Sequence, residues 1–174
     1  KLFIFCTRKE IMIYRFRIIL DVKEDVLRDI EIEETATFED LHHAITQAFG
    51  FLGNEMASFY LSDEEWTQGE EMPLEAMDPS QESCGEKTLN TVISTSQHHL
   101  IYVYDFFNLW TFFVELMEVG EVITATTYPN LIHAEGEVPE EAPEKQFESE
   151  TFDADPGTDF EDEHSQDYDE GEVY

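Results

Sequence analysis

Four of the six histidines occur as two adjacent pairs, His42-His43 and His98-His99, and imidazole is a common metal ligand. Neighbouring residues on a helix or strand point in different directions, so one pair cannot easily hold a single ion through both rings. Zinc sites use spaced ligands instead, such as two histidines separated by a helical turn. The pattern therefore predicts solvated surface histidines rather than a metal site.

Carboxylates are so abundant in this chain that no single pair of them identifies a site. Glu64-Glu65 and Glu70-Glu71 are candidates for weak calcium binding, but the ordered spacing of an EF-hand loop is absent. Cys6 and Cys84 show neither metal-binding nor redox spacing. The chain has no nucleophile elbow and no phosphate-binding glycine loop. The sequence therefore predicts no cofactor, no metal site and no catalytic residue.

Asp105 is the most informative polar residue, because it interrupts two apolar strand patterns beside Tyr104, Asn108 and Trp110. In a functional interpretation, its carboxylate anchors a ligand or metal beside the Trp110 ring. In a structural interpretation, an Asp at a turn accepts hydrogen bonds from backbone N–H groups and fixes the turn. The structural interpretation is favoured, and these four residues remain candidate binding residues.

These candidates lie in the most aromatic stretch of the chain, residues 100–119, which predicts a β-hairpin with its turn near Phe107-Asn108-Leu109. Side chains alternate between the two faces of a strand. Both faces here carry apolar groups, which is typical of central strands. We therefore expect this hairpin, with Trp110 in it, to form the folding core.

The opening segment predicts two strands and a helix. Residues 13–20 and 28–33 alternate between apolar and polar, as half-buried strands do. Thr37 is a suitable N-cap with Asp40 three residues later, a variant of the capping box. Apolar residues then recur at helical spacing up to Gly50, which predicts the helix end.

The rest of the chain predicts a third strand over residues 56–61, a long acidic loop over 63–86 and a possible helical turn near 89–93. After the hairpin, a turn at Gly120-Glu121 leads to a last strand over 122–128, and order fades after Pro129. The predicted fold class is α+β: a mixed, mostly antiparallel sheet with one main helix packed on it, in a roll or β-grasp-like form, followed by a disordered acidic tail.

The hairpin resembles the signature of the plasmid pRi ORF-3-like family, also known as insertion-sequence passenger TnpR proteins. That family carries a pattern close to Y-D-F-G-D-x-W-x-H-x-I-x-L. The matching residues are Tyr104, Asp105, Phe106, Trp110 and Leu116. The departures are Phe107 for Gly, Asn108 for Asp and Phe112 for His.

A second family feature is a Pro-x-Cys segment followed by a Gly-rich stretch and Cys-Pro-Pro-Glu-Asp. Residues 128–141 look like a degraded copy that lacks both cysteines, and they add Tyr128 and Pro129 to the candidate binding residues. The resemblance covers about residues 12–141 and implies an α+β roll. It also implies association with mobile elements, and the loss of the family's His at Phe112 points toward a scaffold or binding role.

The charge is strongly unbalanced, with 41 acids against 9 bases and a net charge of −32. Residues 135–174 hold 17 acids and a single base, Lys145, so they contribute half of that charge. Such a composition predicts a disordered, solvated tail. A chain without a basic surface is not expected to bind nucleic acid directly. No apolar run is long enough for a membrane span, and the two cysteines fit a reduced, cytoplasmic setting.

These observations predict three segments. Residues 1–11 form an N-terminal extension, which is either non-native sequence before a start at Met12 or a short strand. Residues 12–134 form the α+β domain, and residues 135–174 form the acidic tail. The preferred hypothesis for function is a non-enzymatic interaction module that binds a protein partner, with a tail that engages basic surfaces. The alternative is a metal-dependent or hydrolytic enzyme that uses Asp105, Asn108 and loop carboxylates.

Overall fold

The computed structural model describes residues 10–78 and 80–143; most of the predicted N-terminal extension and residues 144–174 of the predicted tail lie outside this part. Within it, one α-helix packs on a seven-stranded sheet, so the α+β class is confirmed. The elements are β1 (Met12–Leu20), β2 (Leu27–Glu33), α1 (Phe38–Phe49), β3 (Ala57–Ser62), β4 (Glu71–Pro73), β5 (His99–Tyr104), β6 (Trp110–Glu121) and β7 (Asn130–Glu135), with a short 3-10 turn at Leu89–Thr91. The strand order is β4-β3-β5-β6-β1-β2-β7, and every adjacent pair is antiparallel.

Helix α1 begins and ends where the sequence predicts. The Thr37 hydroxyl accepts a hydrogen bond from the Asp40 backbone N–H, and the Asp40 carboxylate accepts one from the Thr37 N–H, which completes the capping box. Gly50 follows with φ 80°, a left-handed conformation in which glycine carries no Cβ penalty. The left-handed conformation of Gly50 lets the loop after α1 turn back toward β3.

The core lies between α1 and one face of the sheet. Phe38, Leu41 and Ile45 project from the helix and are fully buried. They meet buried side chains of the central strands, including Tyr102 of β5 and Phe112 of β6. Each buried side chain of this size stabilises the fold by roughly 1.5–3 kcal/mol.

The predicted hairpin is confirmed. Strands β5 and β6 pair from His99↔Glu115 to Tyr104↔Trp110, and the turn spans the five residues 105–109. Trp110 is buried and packs edge-on against Phe51, with ring centroids 5.0 Å apart. The hairpin therefore supplies two of the central strands and part of the aromatic core.

The predicted strand over 122–128 is wrong, and so is the loss of order after Pro129. Strand β6 continues through Gly120 to Glu121, because Gly120 and Val119 pair with Ile13 and Tyr14 of β1. The last strand is β7, which pairs with β2. It ends at Glu135, the first residue of the predicted tail. Val138 and Ala142 of that predicted tail pack against the core.

The long loop over 63–86 contains a strand that its sequence does not predict. Strand β4 is three residues long and pairs with β3 at the edge of the sheet. The segment that follows is tied down by backbone hydrogen bonds from Leu74 N–H to the Ala57 carbonyl and from Cys84 N–H to the Pro73 carbonyl. This acidic segment therefore forms one wall beside the helix.

The sheet face opposite α1 is crossed by ion pairs that involve two of the five described Lys and Arg residues. Arg15 contacts Glu31 and Glu118. Arg17 donates two hydrogen bonds to Asp29, each 2.8 Å long, and this contact lowers the pKa of the Asp29 carboxyl. Few cations are consequently left to balance the acids elsewhere on the surface.

Candidate binding cavity

The carboxylate of Asp105 is engaged by its own turn. Asp105 has φ 60°, and its Oδ1 accepts hydrogen bonds from the backbone N–H groups of Phe107 and Asn108 at 3.1 and 3.3 Å. Its Oδ2 accepts a hydrogen bond of 2.6 Å from the Asn108 side chain. Chiefly because of the Asn108 side chain, the pKa of the Asp105 carboxyl lies below its ordinary value. The geometry supports the structural interpretation of Asp105 and Asn108.

Tyr104 and Trp110 lie inside the fold rather than on a binding surface. Both are buried, and the Tyr104 hydroxyl accepts a hydrogen bond of 3.1 Å from the Gly53 N–H. This contact ties the loop after α1 to the end of β5. Both rings therefore position the loops around the turn.

Tyr128 and Pro129 lie at the other end of the sheet from the Asp105 turn. They precede β7, whose first residue, Asn130, pairs with Glu31. The Tyr128 hydroxyl accepts a hydrogen bond of 3.2 Å from the Ile123 N–H. The twelve residues of β6 separate the two groups, so the six candidate residues do not form one site.

A cavity of about 170 Å³ lies next to the Asp105 turn. Helix α1, the loop from Gly53 to Met56, strand β4 with the segment after it, and Phe106 form its walls. Four glutamates line it: Glu39, Glu55, Glu71 and Glu75. The described residues that line it include no Lys or Arg. The cavity is therefore suited to a cationic group.

Glu71 is held in the wall of this cavity by a buried neighbour. The Ser58 side chain is fully buried, and its hydroxyl donates a hydrogen bond of 2.8 Å to Glu71 Oε1. Burial, and then the charge of Glu71, raise the pKa of the nearby Tyr60 hydroxyl. Tyr60 therefore stays protonated near neutral pH, as an unperturbed tyrosine also does.

His42 forms part of the same wall, and its burial corrects the prediction of surface histidines. Its Nδ1 lies 2.6 Å from the Tyr102 hydroxyl and its Nε2 lies 3.3 Å from the Gly53 carbonyl. A carbonyl can only accept, so Nε2 carries the proton and Nδ1 accepts from Tyr102. Burial lowers the pKa of His42, which keeps the ring neutral near pH 7.

His99 is also buried, against the prediction, whereas His43 is exposed as predicted. His43 Nε2 lies 4.0 Å from Glu39 Oε1 at the mouth of the cavity.

The position of His42 was readable from the sequence: it lies four residues after Phe38 and three before Ile45, on the apolar side of α1. Glu39 and Glu75 carry no such signal, because 35 residues of chain lie between them and only the fold brings both to the cavity.

The free cysteine of the described chain does not line the cavity. Cys84, on the chain segment that leads away from the cavity, is buried and donates its thiol to the Met72 carbonyl; burial raises the pKa of that thiol to about 11. Among residues 10–78 and 80–143, no three His, Cys, Asp or Glu side chains are arranged to hold a metal ion. No helix in the same ranges has the length and apolar character to cross a membrane.

Comparison with known proteins gives a family and a fold. The family profile described as plasmid pRiA4b ORF-3-like protein matches residues 12–168. The crystal structure of a protein of unknown function, MM3350 from Methanosarcina mazei Go1, is similar with a TM-score of 0.66 and 21% identity. The similarity covers 75% of this chain and 74% of that one. No curated protein matches the chain.

Proposed function

This chain belongs to the plasmid pRiA4b ORF-3-like family, and we propose that it is a non-enzymatic binding module for basic segments of a partner protein. The observation that carries this proposal is the cavity beside the Asp105 turn, with four glutamates and no Lys or Arg among the described residues that line it. Carboxylates around a partly enclosed space attract a cationic side chain and donate nothing to an anion. A Lys or Arg of a partner is the natural occupant.

The distribution of charge over the described chain supports the same conclusion. Of the five Lys and Arg residues in the described ranges, four contact carboxylates or backbone carbonyls: Arg15, Arg17, Arg28 and Lys87. The surrounding field is therefore negative, which accelerates encounters with basic partners and repels nucleic acid. The acidic residues from 135 onward add to this field, and we propose that they engage basic surfaces in the same complex.

An enzymatic role for Asp105 and Asn108 has less support. Both oxygens of Asp105 accept hydrogen bonds within the turn, and the Asn108 amide donates one of them. A general base must reach a substrate proton, and a nucleophile needs a base beside it. Binding to a protein partner in a cytoplasmic setting, with an association to mobile elements, remains our proposal for the biological context.

The test removes negative charge at the cavity while keeping the size of the side chains. The double variant Glu39→Gln/Glu75→Gln removes two of the four carboxylates, and Glu24→Gln/Glu121→Gln removes the same charge from exposed positions outside the cavity. Binding of a fluorescein-labelled peptide of alternating lysine and glycine is followed by fluorescence anisotropy. We expect the cavity variant to raise Kd by about tenfold, a loss of about 1.4 kcal/mol, and the control to change it far less. Equal effects of the two variants would show that the cavity is not the binding site.

A further inference from the structure

We infer that the cavity and its exposed apolar border form one docking surface for an amphipathic basic segment, in which a Lys or Arg enters the cavity between large apolar residues. This inference rests on the proposed function and specifies the chemistry of its partner. We call the border the apolar rim. It consists of Met56, Met77 and Phe106, which line the cavity, and of Leu52 and Phe107, which stand directly beside lining residues in the chain.

The rim is unusual for its exposure. Phe107 is 93% exposed and Leu52 is 91% exposed, although both are large apolar side chains. Five of the twelve exposed large apolar residues in the described chain lie in the three loops next to this cavity. Exposed apolar residues that cluster in a polar neighbourhood are typical of protein–protein interaction sites.

The loops that carry the rim are fixed to one another. The Asp105 N–H donates to the Met56 carbonyl at 2.9 Å, which joins the β5–β6 turn to the loop before β3. The Gly53 N–H donates to the Tyr104 hydroxyl, which fixes the backbone next to Leu52. The capped turn thus presents Phe106 and Phe107 in a defined position. A rigid surface binds with a smaller entropic cost than a flexible one.

The role of the Asp105 turn in this surface is to position Phe106 and Phe107. Asp105 need not touch the ligand, because its hydrogen bonds to the Phe107 and Asn108 N–H groups set the direction of the aromatic pair. Met56 and Met77 add unbranched, adaptable contact area on either side of the cavity. The surface therefore combines one deep charged contact with several shallow apolar ones.

The charge of the surface decides between possible occupants. A second copy of this chain would bring a net charge of −32 against the same charge, so self-association over the rim is disfavoured. A small polyamine would satisfy the cavity and leave the rim exposed. Only a segment with both cationic and apolar side chains uses the whole surface.

The experiment compares two fluorescein-labelled peptides on the full chain. One has lysines flanked by leucine and phenylalanine, and the other has the same lysines flanked by serine. We expect the apolar peptide to bind the wild-type chain about tenfold more tightly, because it buries the rim as well.

The rim is then removed by Leu52→Ser/Phe107→Ser, two positions so exposed that the fold should tolerate the change. The matched control is Val122→Ser/Ile123→Ser, an exposed apolar pair outside the rim. We expect the rim variant alone to lose the preference for the apolar peptide, with affinity for the serine peptide unchanged.

The possible failures are separable. Equal affinity of the two peptides for the wild-type chain, or a preference that survives in the rim variant, would overturn the docking surface and leave the acidic cavity standing. Displacement of the apolar peptide by spermidine at equal concentration would assign the cavity to a small polyamine and also overturn it. Failure of both peptides to bind would overturn the proposed function itself.

Discussion

The aromatic residues of the hairpin divide by environment into two groups with different tasks. Trp110 is buried against Phe51, whereas Phe107, three residues earlier, is almost fully exposed. Burial of Trp110 stabilises the fold. Exposure of the large apolar ring of Phe107 to water is unfavourable, and nothing in the fold requires it. In the proposed docking surface, Trp110 would therefore serve stability and Phe107 would serve binding.

Trp110→Ala should lower the free energy of unfolding by about 3–5 kcal/mol, because the truncation leaves a cavity in the aromatic core. Phe107→Ala is the control and should change the free energy of unfolding by less than about 0.5 kcal/mol. Urea denaturation followed by circular dichroism measures both. An unchanged midpoint for Trp110→Ala would mean that the ring adds nothing to the core and would return it to the candidate binding residues.

At the scale of the elements, strand β7 depends on the turn that follows it. Gly136 has φ 75°, and a Cβ at this position would collide with the Asp25 carbonyl oxygen. Arg28 also donates hydrogen bonds to the carbonyls of Glu135 and Gly136, so the turn is clamped to β2. Close backbone approach and positive φ both select glycine here.

Gly136→Ala should therefore destabilise the protein by about 1–3 kcal/mol, the usual cost of a strained backbone position. Gly120→Ala is the matched control, since nothing lies within 4 Å of a Cβ there. Hydrogen exchange of the β7 amides gives the local readout, and thermal denaturation gives the global one. Equal midpoints for the two variants would show that the turn relaxes without cost.

The elements also show how far the sequence predicts this fold. Helix α1 and the β5–β6 hairpin are local structures, set by Thr37, Gly50 and the alternation around Tyr104, and they are confirmed. Strand β7 depends on β2, a distant partner in sequence, since Asn130 pairs with Glu31. Strand β4 pairs with the preceding strand β3, but it is only three residues long. Short, exposed segments of this kind carry little local signal.

In the candidate site too, the sequence reveals the local structure but not the contacts between separate parts of the chain. Asp105 was recognisable as a turn residue from its place between two strand patterns. The cavity beside it was not recognisable, because Glu39, Glu71 and Glu75 share its lining only once β4 has paired with β3. In a chain with 41 acids, the sequence cannot single out the few that share a cavity.

At the scale of the whole molecule, the proposed complex would have two sources of negative charge that act on the basic partner over different distances. The glutamates of the cavity would act at contact, where a partly enclosed charge pair is screened little by salt. The acidic residues of the C-terminal segment would act at longer range. Residues 144–174 alone contain 13 acids and one base.

A chain ending at Pro143 should therefore bind the apolar lysine peptide with a slower association rate and a weaker dependence on salt, because the screening length falls from about 10 Å at 0.1 M to about 3 Å at 1 M. Its preference for the apolar peptide over the serine peptide should persist, since the rim and the cavity are retained. Stopped-flow anisotropy at several salt concentrations separates the two effects.

The full chain with Leu52→Ser/Phe107→Ser should show the opposite pattern: an unchanged association rate and a faster dissociation rate. Association rates that are equal with and without residues 144–174 would exclude long-range steering by this segment, whereas loss of the peptide preference on truncation would place part of the docking surface within it.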